Sequence, residues 1–243
     1  MSTNNFCCGP VGEVQHARTI WMTFAEPVAA LGEHSPVPAH LKPEVPGQWR
    51  LAGPKTLVFE ARERLPGSTV YQVQALGQEW SFSTTPVRLE RVWPKGSKVH
   101  SLDIFVLSAD QAIDPEAVLA GMELQVEGQV VPLLLASDEQ IRSVRPAWAR
   151  YRRLLPGQRL AVRPQHPLPE ESRGVLLVRS GIPSLEGPLV TRQEQDLPFQ
   201  VLPPFRLESA RFKAGRFNGG NLYMGTLRLS FSHPLKTSRS GAD

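Results

Sequence analysis

Cysteine is almost missing from these 243 residues: there are two, Cys7 and Cys8, and they are neighbours. Adjacent cysteines bridge only through a distorted peptide, so no disulfide staple is expected and the redox compartment stays open. The expectation is a pair of free thiols on a loose N-terminal tail. No run of 18 apolar residues occurs, which excludes a membrane-spanning helix. The start, MSTNNFCCGPVGEV, has no basic segment leading into an apolar one, so no secretory leader is read in the chain as given.

Motifs of chemistry are missing as well. The six histidines, His16, His34, His40, His100, His166 and His233, form neither HxH nor HExxH, and none has a cysteine at zinc spacing. There is no GxSxG elbow and no Walker glycine loop. Carboxylates are spread singly. Glu60, Glu63, Asp103 and Asp110 would make an acid–base pair only if folding gathered them. The expectation is therefore a chain that is not an enzyme, with no cofactor, no metal and no small-molecule ligand.

What is plentiful is turn chemistry. Twenty-three prolines and nineteen glycines are scattered along the chain, which suits many short strands better than long helices. Strand periodicity predicts segments at 20–24, 56–60, 70–75 and 78–84, with a hairpin turn at Leu76-Gly77-Gln78. Further strands are predicted at 102–107, 122–126, 130–135, 160–162 and 174–178, with a turn at Glu127-Gly128-Gln129. One short helix is predicted after Asp114-Pro115-Glu116, an N-cap followed by proline at the first helical position.

Two internal repeats organise these elements. LVFEARERLP (57–66) and LAVRPQHPLP (160–169) share a leucine, an apolar third position and a closing Leu-Pro. The leucine is expected to plug the end of a core, and the proline to stop ladder pairing. TIWMTFAEPV (19–28) and TLRLSFSHPL (226–235) match at Thr19/Thr226, Ile20/Leu227, Met22/Leu229 and Phe24/Phe231. The fold class expected is all-β: tandem Ig-like, macroglobulin-like antiparallel sandwiches, the last one incomplete. The boundaries read are a disordered tail at 1–11, a first module at 12–86 and a second at 87–202. Residues 203–243 then form the truncated start of a third module with a disordered C-terminus.

One stretch is electrically unusual. Between Gln140 and Gln165 lie Arg142, Arg145, Arg150, Arg152, Arg153, Arg159 and Arg163 without a single carboxylate, and Trp148 and Tyr151 sit among them. Such interleaving grips phosphates and stacks on bases, or meets anionic lipid. It also serves as a contact for an acidic protein or a sister module. The plainest reading is a solvated loop or edge strand with its aromatics tucked inward. The candidate partner-contact patch is Arg142, Arg145, Trp148, Arg150, Tyr151, Arg152 and Arg153. Trp49 is expected over the first core and Trp93 at the junction of the two modules.

The phrases FAEPVAALG (24–32) and GQWRLAGPKTLVFEARERLPGSTVYQV (47–73) resemble the first macroglobulin-like module of bacterial α2-macroglobulins, large multidomain protease traps. The stretch 160–191, with Gly181-Ile182-Pro183-Ser184-Leu185-Glu186-Gly187-Pro188 at its centre, resembles a second phrase of that family. Arg50-Leu51 departs from the pattern where a second tryptophan is usual. The resemblance runs from Pro10 to Pro234. It implies non-catalytic structural modules of a protease inhibitor in the periplasm or cell envelope, with proteases and neighbouring modules as partners of the intact protein. The family's thioester places Gln three residues after Cys. Pro10 and Val11 stand at that offset here, so this chain alone is expected not to inhibit. A self-sufficient Ig-like binding or adhesion module is the alternative expectation.

Overall fold

The structure, a computed structural model, describes residues 6–28, 38–94, 98–101, 104–203, 206–216 and 223–232. Leu102, Asp103, His34, His233, and residues 217–222 and 233–243 lie outside the described residues.

Among the described residues the first sandwich has eight strands: β1 (Phe6–Gly9), β2 (Gly12–Val14), β3 (Thr19–Phe24), β4 (Ala39–Lys42), β5 (Gly47–Leu51), β6 (Thr56–Ala61), β7 (Val70–Ala75) and β8 (Gln78–Thr84). One sheet has the order β1-β3-β6-β5 and the other β2-β8-β7-β4. Alternation along each strand sends one set of side chains inward. Ile20, Phe59, Tyr71, Val73 and Phe82 meet between the sheets. Trp49 packs on this core with its ring 5.1 Å from Phe59, as expected. The β7–β8 turn uses Leu76 and Gly77, both at positive φ, the geometry a two-residue hairpin requires.

The second sandwich repeats this plan. Its strands are β9 (Leu89–Trp93), β10 (Lys98–Val99), β11 (Phe105–Ala109), β12 (Met122–Val126), β13 (Gln129–Val131), β14 (Leu133–Leu135), β15 (Arg159–Pro164), β16 (Arg173–Val178) and β17 (Gln195–Val201). The sheet orders are β9-β11-β15-β14 and β10-β17-β16-β12-β13. Strand for strand these follow the first sandwich, with β13 added at one edge. Even the short parallel pairing recurs, β2 with β8 and β10 with β17. The core gathers Phe105, Leu107, Leu124, Leu160, Val162, Leu176 and Phe199. Helix α1 (Pro115–Ala120) starts where predicted, the Asp114 carboxylate accepting the Glu116 N–H at 3.1 Å.

The Leu-Pro repeat has a clear physical role. Leu65 and Leu168 are both buried, each at the end of its core. The Tyr71 hydroxyl donates to the Pro66 carbonyl at 3.1 Å, locking the corner between β6 and β7. Burial pushes the Tyr71 phenol up to about 12. In the second sandwich the Ser172 hydroxyl donates to the Pro169 carbonyl at 2.6 Å.

Several expectations need correction. Residues 6–9 are not a disordered tail: Cys7 pairs with Thr23 and Cys8 with Met22 in the β1–β3 ladder, and the Phe6 ring lies 6.2 Å from Phe24. Both cysteines are free, and burial followed by the neighbouring Cys7 raises the Cys8 thiol. Residues 130–135 are not one strand. Pro132 has no N–H to continue the ladder, and the chain crosses there from β13 in one sheet to β14 in the other. The arginine-rich stretch is not one loop or edge strand: it runs through two helices, α2 (Asp138–Ser143) and α3 (Arg145–Tyr151), a turn that carries Arg152 and Arg153, and the inner strand β15 with Arg159 and Arg163. The two helices lie on the outer face of the β9-β11-β15-β14 sheet over Ile104, Val106 and Ala161, so the second module has a third layer. Trp93 belongs to that layer and not to the junction.

After the second sandwich come β18 (Leu207–Arg216) and β19 (Tyr223–Phe231), an antiparallel pair with Phe212 opposite Leu227 and Ala210 opposite Leu229. No further strand pairs with them among the described residues.

Phe105→Ala is expected to lower the unfolding free energy by about 3–5 kcal/mol, the cavity cost of a buried phenylalanine. Denaturant unfolding of the full chain measures it.

Candidate functional site

Two places concentrate polar chemistry. The first is where the two sandwiches meet. The chain passes directly from β8 to β9 through Thr85-Pro86-Val87-Arg88, and a distant loop, Gly181–Thr191, between β16 and β17 bonds across the junction. Glu186 on this loop reaches across. Its carboxylate accepts the Gly67 N–H at 2.8 Å and the Arg64 guanidinium, both from the first sandwich. It also accepts the Ala112 N–H at 3.0 Å from its own.

Around this carboxylate most polar groups are matched. The buried Ser68 hydroxyl donates to the Gln111 side-chain oxygen at 2.7 Å and accepts the Val87 N–H at 3.1 Å. The Gln111 amide nitrogen donates to the Thr85 carbonyl at 2.8 Å. The Leu189 N–H donates to the Ser68 carbonyl at 2.7 Å. Gly187 is a glycine by necessity: a Cβ there would collide with the Thr69 hydroxyl and the backbone carbonyls of Gly67 and Ser68. At the rim, Arg192 pairs with Glu13 at 2.8 Å. Among the described residues all but one of the buried polar groups here find partners, the Thr85 hydroxyl being the exception; such matching favours one arrangement over its alternatives, because any sliding strands several at once.

Burial works to raise the Glu186 carboxyl. The Gly67 and Ala112 N–H groups and Arg64 outweigh it and hold the group below the usual carboxylate range.

The second place is the helical layer. Helix α2 opens with a reciprocal cap: the Ser137 hydroxyl accepts the Gln140 N–H at 3.3 Å, and the Gln140 side chain accepts the Ser137 N–H at 2.9 Å. Ile141, Val144, Trp148 and Tyr151 fall at helical spacing and point at the sheet. Three arginines lie on aromatic rings. Arg142 is 5.0 Å from Trp148, Arg150 is 4.5 Å from Trp93, and Arg159 is 4.2 Å from Tyr151. Arg159 also donates to the Tyr151 and Leu154 carbonyls at the end of α3, where a cation is favoured.

The structure therefore divides the seven predicted patch residues. Trp148, Tyr151 and Arg150 are half-buried parts of the layer. Arg142 stacks on Trp148 and lies 3.8 Å from Asp138. Arg145, Arg152 and Arg153 are exposed and make no ion pair among the described residues. Arg145 and Arg152 stand seven residues apart, on one helical stripe.

Among the described residues the singly spread carboxylates Glu60 and Asp110 are not gathered; each has a partner of its own. Glu60 pairs with Arg50, which lowers its carboxyl, and Asp110 accepts the Arg88 N–H at 2.8 Å. Among the described residues, no group of three side chains is placed to hold a metal. The junction residues Arg64, Gly67, Ser68, Gln111 and Glu186 were not singled out as a site from the sequence. The phrase containing Glu186 stood out, but its partner Gly67 is 119 residues away.

No family model and no curated protein matches the chain. Solved structures do. An L,D-transpeptidase from Mycobacterium tuberculosis H37Rv aligns at 18% identity and a TM-score of 0.29, covering 55% of this chain and 58% of that one. The I9–I11 tandem from titin aligns at 8% identity and 0.27, covering 84% and 68%. The chicken CNTN1 FN1–FN3 domains align at 16% identity and 0.20, covering 81% and 66%. The class is read from the sheets themselves: two successive sandwiches of four- and five-stranded sheets, of like strand order, make a tandem of Ig-like β-sandwich modules.

Glu186→Ala strands two backbone amides and a guanidinium. It is expected to lower stability by about 2–4 kcal/mol and to split one unfolding transition into two. Because the folded-state carboxyl lies below its unfolded value, its contribution is present at neutral pH and lost as the pH falls through the folded value, below 4.5. Thermal melts of wild type should therefore fall more steeply than those of the variant across that window.

Proposed function

We propose that this chain is a pair of non-catalytic spacer modules of an α2-macroglobulin-like protease trap, working in the cell envelope and holding its neighbours at a fixed angle. The observation that carries this reading is the Glu186 junction. Two sandwiches joined only by Thr85-Pro86-Val87-Arg88 would swing, and a module whose task is to bind alone has no need of a buried polar lock to its neighbour. Here the lock draws on Arg64 and Gly67 of the first sandwich, Ala112 and Gln111 of the second, and the loop that bears Glu186. The lock also falls on the two phrases that carry the family resemblance, Leu65-Pro66-Gly67-Ser68-Thr69 and Gly181–Pro188.

Spacers need no reacting groups. The arginines of the helical layer are largely engaged with rings and carbonyls, which supports a structural role for that stretch. Arg145, Arg152 and Arg153 favour a second reading, a binding module that meets an acidic protein surface through α3. Their exposure and lack of carboxylate partners support it.

A protease assay separates a spacer from a self-sufficient inhibitor. With this chain alone in tenfold excess, cleavage of a large protein substrate is expected to run at the uninhibited rate. A dose-dependent fall in that cleavage would defeat the spacer reading.

A further inference from the structure

The β18–β19 hairpin has two unlike faces. Cross-strand partners share a face, so the register groups Leu207, Ala210 and Phe212 with Phe231, Leu229 and Leu227. The opposite face carries Ser209, Arg211 and Lys213 with Ser230, Arg228 and Thr226. Four side chains of the apolar face lie open. Leu207 is 54% exposed, Phe212 69%, Leu227 59% and Leu229 44%.

The same residues in a complete sandwich are covered. Leu227 and Leu229 occupy the places that Ile20 and Met22 hold in β3, and both of those are 0% exposed. A second feature points the same way. In each sandwich one phenylalanine ring lies over a glycine on the neighbouring strand, Phe59 over Gly47 and Phe199 over Gly174, and both rings are buried between the sheets. The hairpin has the same device, Phe212 over Gly225. A Cβ on any of these glycines would collide with the ring. The face that exposes Phe212 is thus built as the inner face of a sandwich.

We propose that this face is an interface for a second copy of the chain, two hairpins stacking face to face about a twofold axis to close one sandwich between them. The described sheets of both complete modules already have their inner faces filled, so neither supplies the cover. The face is self-complementary. Its positions from Leu207 to Phe212 and from Leu227 to Phe231 are aliphatic or aromatic, with Arg216 only at the far end of the same face, so a twofold axis brings apolar against apolar over that length. Arg211, Lys213 and Arg228 keep the other face in water and fix which side docks. The nine residues of β19 span about 30 Å. With two strands the patch lies toward the small end of the ~800 Å² per partner of a stable interface, so micromolar dissociation is expected. The proposal rests on residues outside the Glu186 junction and does not depend on the protease-trap reading.

Sedimentation velocity on the full chain between about 1 and 100 µM tests it. The expected result is a concentration-dependent shift from the 26.9 kDa monomer to twice that mass. Phe212→Glu with Leu227→Glu should abolish the shift while leaving the melting of the two sandwiches unchanged, since both side chains are exposed in the monomer. Arg211→Glu with Arg228→Glu, on the other face, should leave the dimer intact. A wild-type chain that stays monomeric at 100 µM overturns the proposal. So does a dimer that survives the first pair of substitutions, one lost with the second pair, or growth beyond a dimer.

Discussion

Two modules joined by a four-residue connection share little covalent constraint. What fixes them is the carboxylate of Glu186, set at the seam with two backbone N–H groups and one guanidinium around it. The arrangement resembles an anion cradle closed by a side chain of the protein itself. Its directionality matters more than its strength. A surface ion pair tolerates sliding and is worth little. Here the carboxylate must reach the Gly67 N–H on one side and the Ala112 N–H on the other, at 2.8 and 3.0 Å. Only one relative placement of the sandwiches satisfies both.

That constraint gives the smaller features of the junction their meaning. Gly67 leaves room for the Gln111 side chain, and Gly187 leaves room for Thr69. The Leu-Pro corner is held from within by Tyr71 and presents Gly67 and Ser68 outward to the second sandwich. Core, corner and seam form a continuous chain of contacts: Leu65 closes the first core, Pro66 ends the ladder, and the next two residues meet Glu186 and Gln111. A change at any of the three is felt at the others.

Much of this architecture was legible in the sequence, and the failures are instructive. Alternation marked β7 and β8, which have one wetter face and one drier one, while short apolar, β-branched or aromatic runs marked β3 and β6, the latter buried on both faces. The Leu65/Leu168 repeat marked equivalent corners because both leucines do the same packing. The strands at 39–42, 47–51, 89–93 and 195–201 escaped because their apolar residues are interrupted by polar or proline positions. Residues 137–151 were misread for a different reason. Their charge drew attention away from a helical stripe, Ile141-Val144-Trp148-Tyr151, and from the Ser137/Gln140 cap, both of which a 3.6-residue period reveals. The junction was hidden altogether, since hydrogen bonds across 119 residues leave no local pattern.

The arginine-rich layer and the hairpin show opposite uses of surface. In the layer, cations cover aromatic rings and spare them from water, leaving three arginines at the edge. In the hairpin, an apolar face stays uncovered beside a cationic one.

The central claim is that the two sandwiches are locked as one unit through Glu186, and amide hydrogen exchange tests it most directly. The Gly67, Ala112 and Leu189 N–H groups should exchange only when the whole molecule unfolds, with the same opening free energy as core amides of β7 and β11. Exchange of these three through a separate, lower-energy opening, while both cores stay protected, would contradict it.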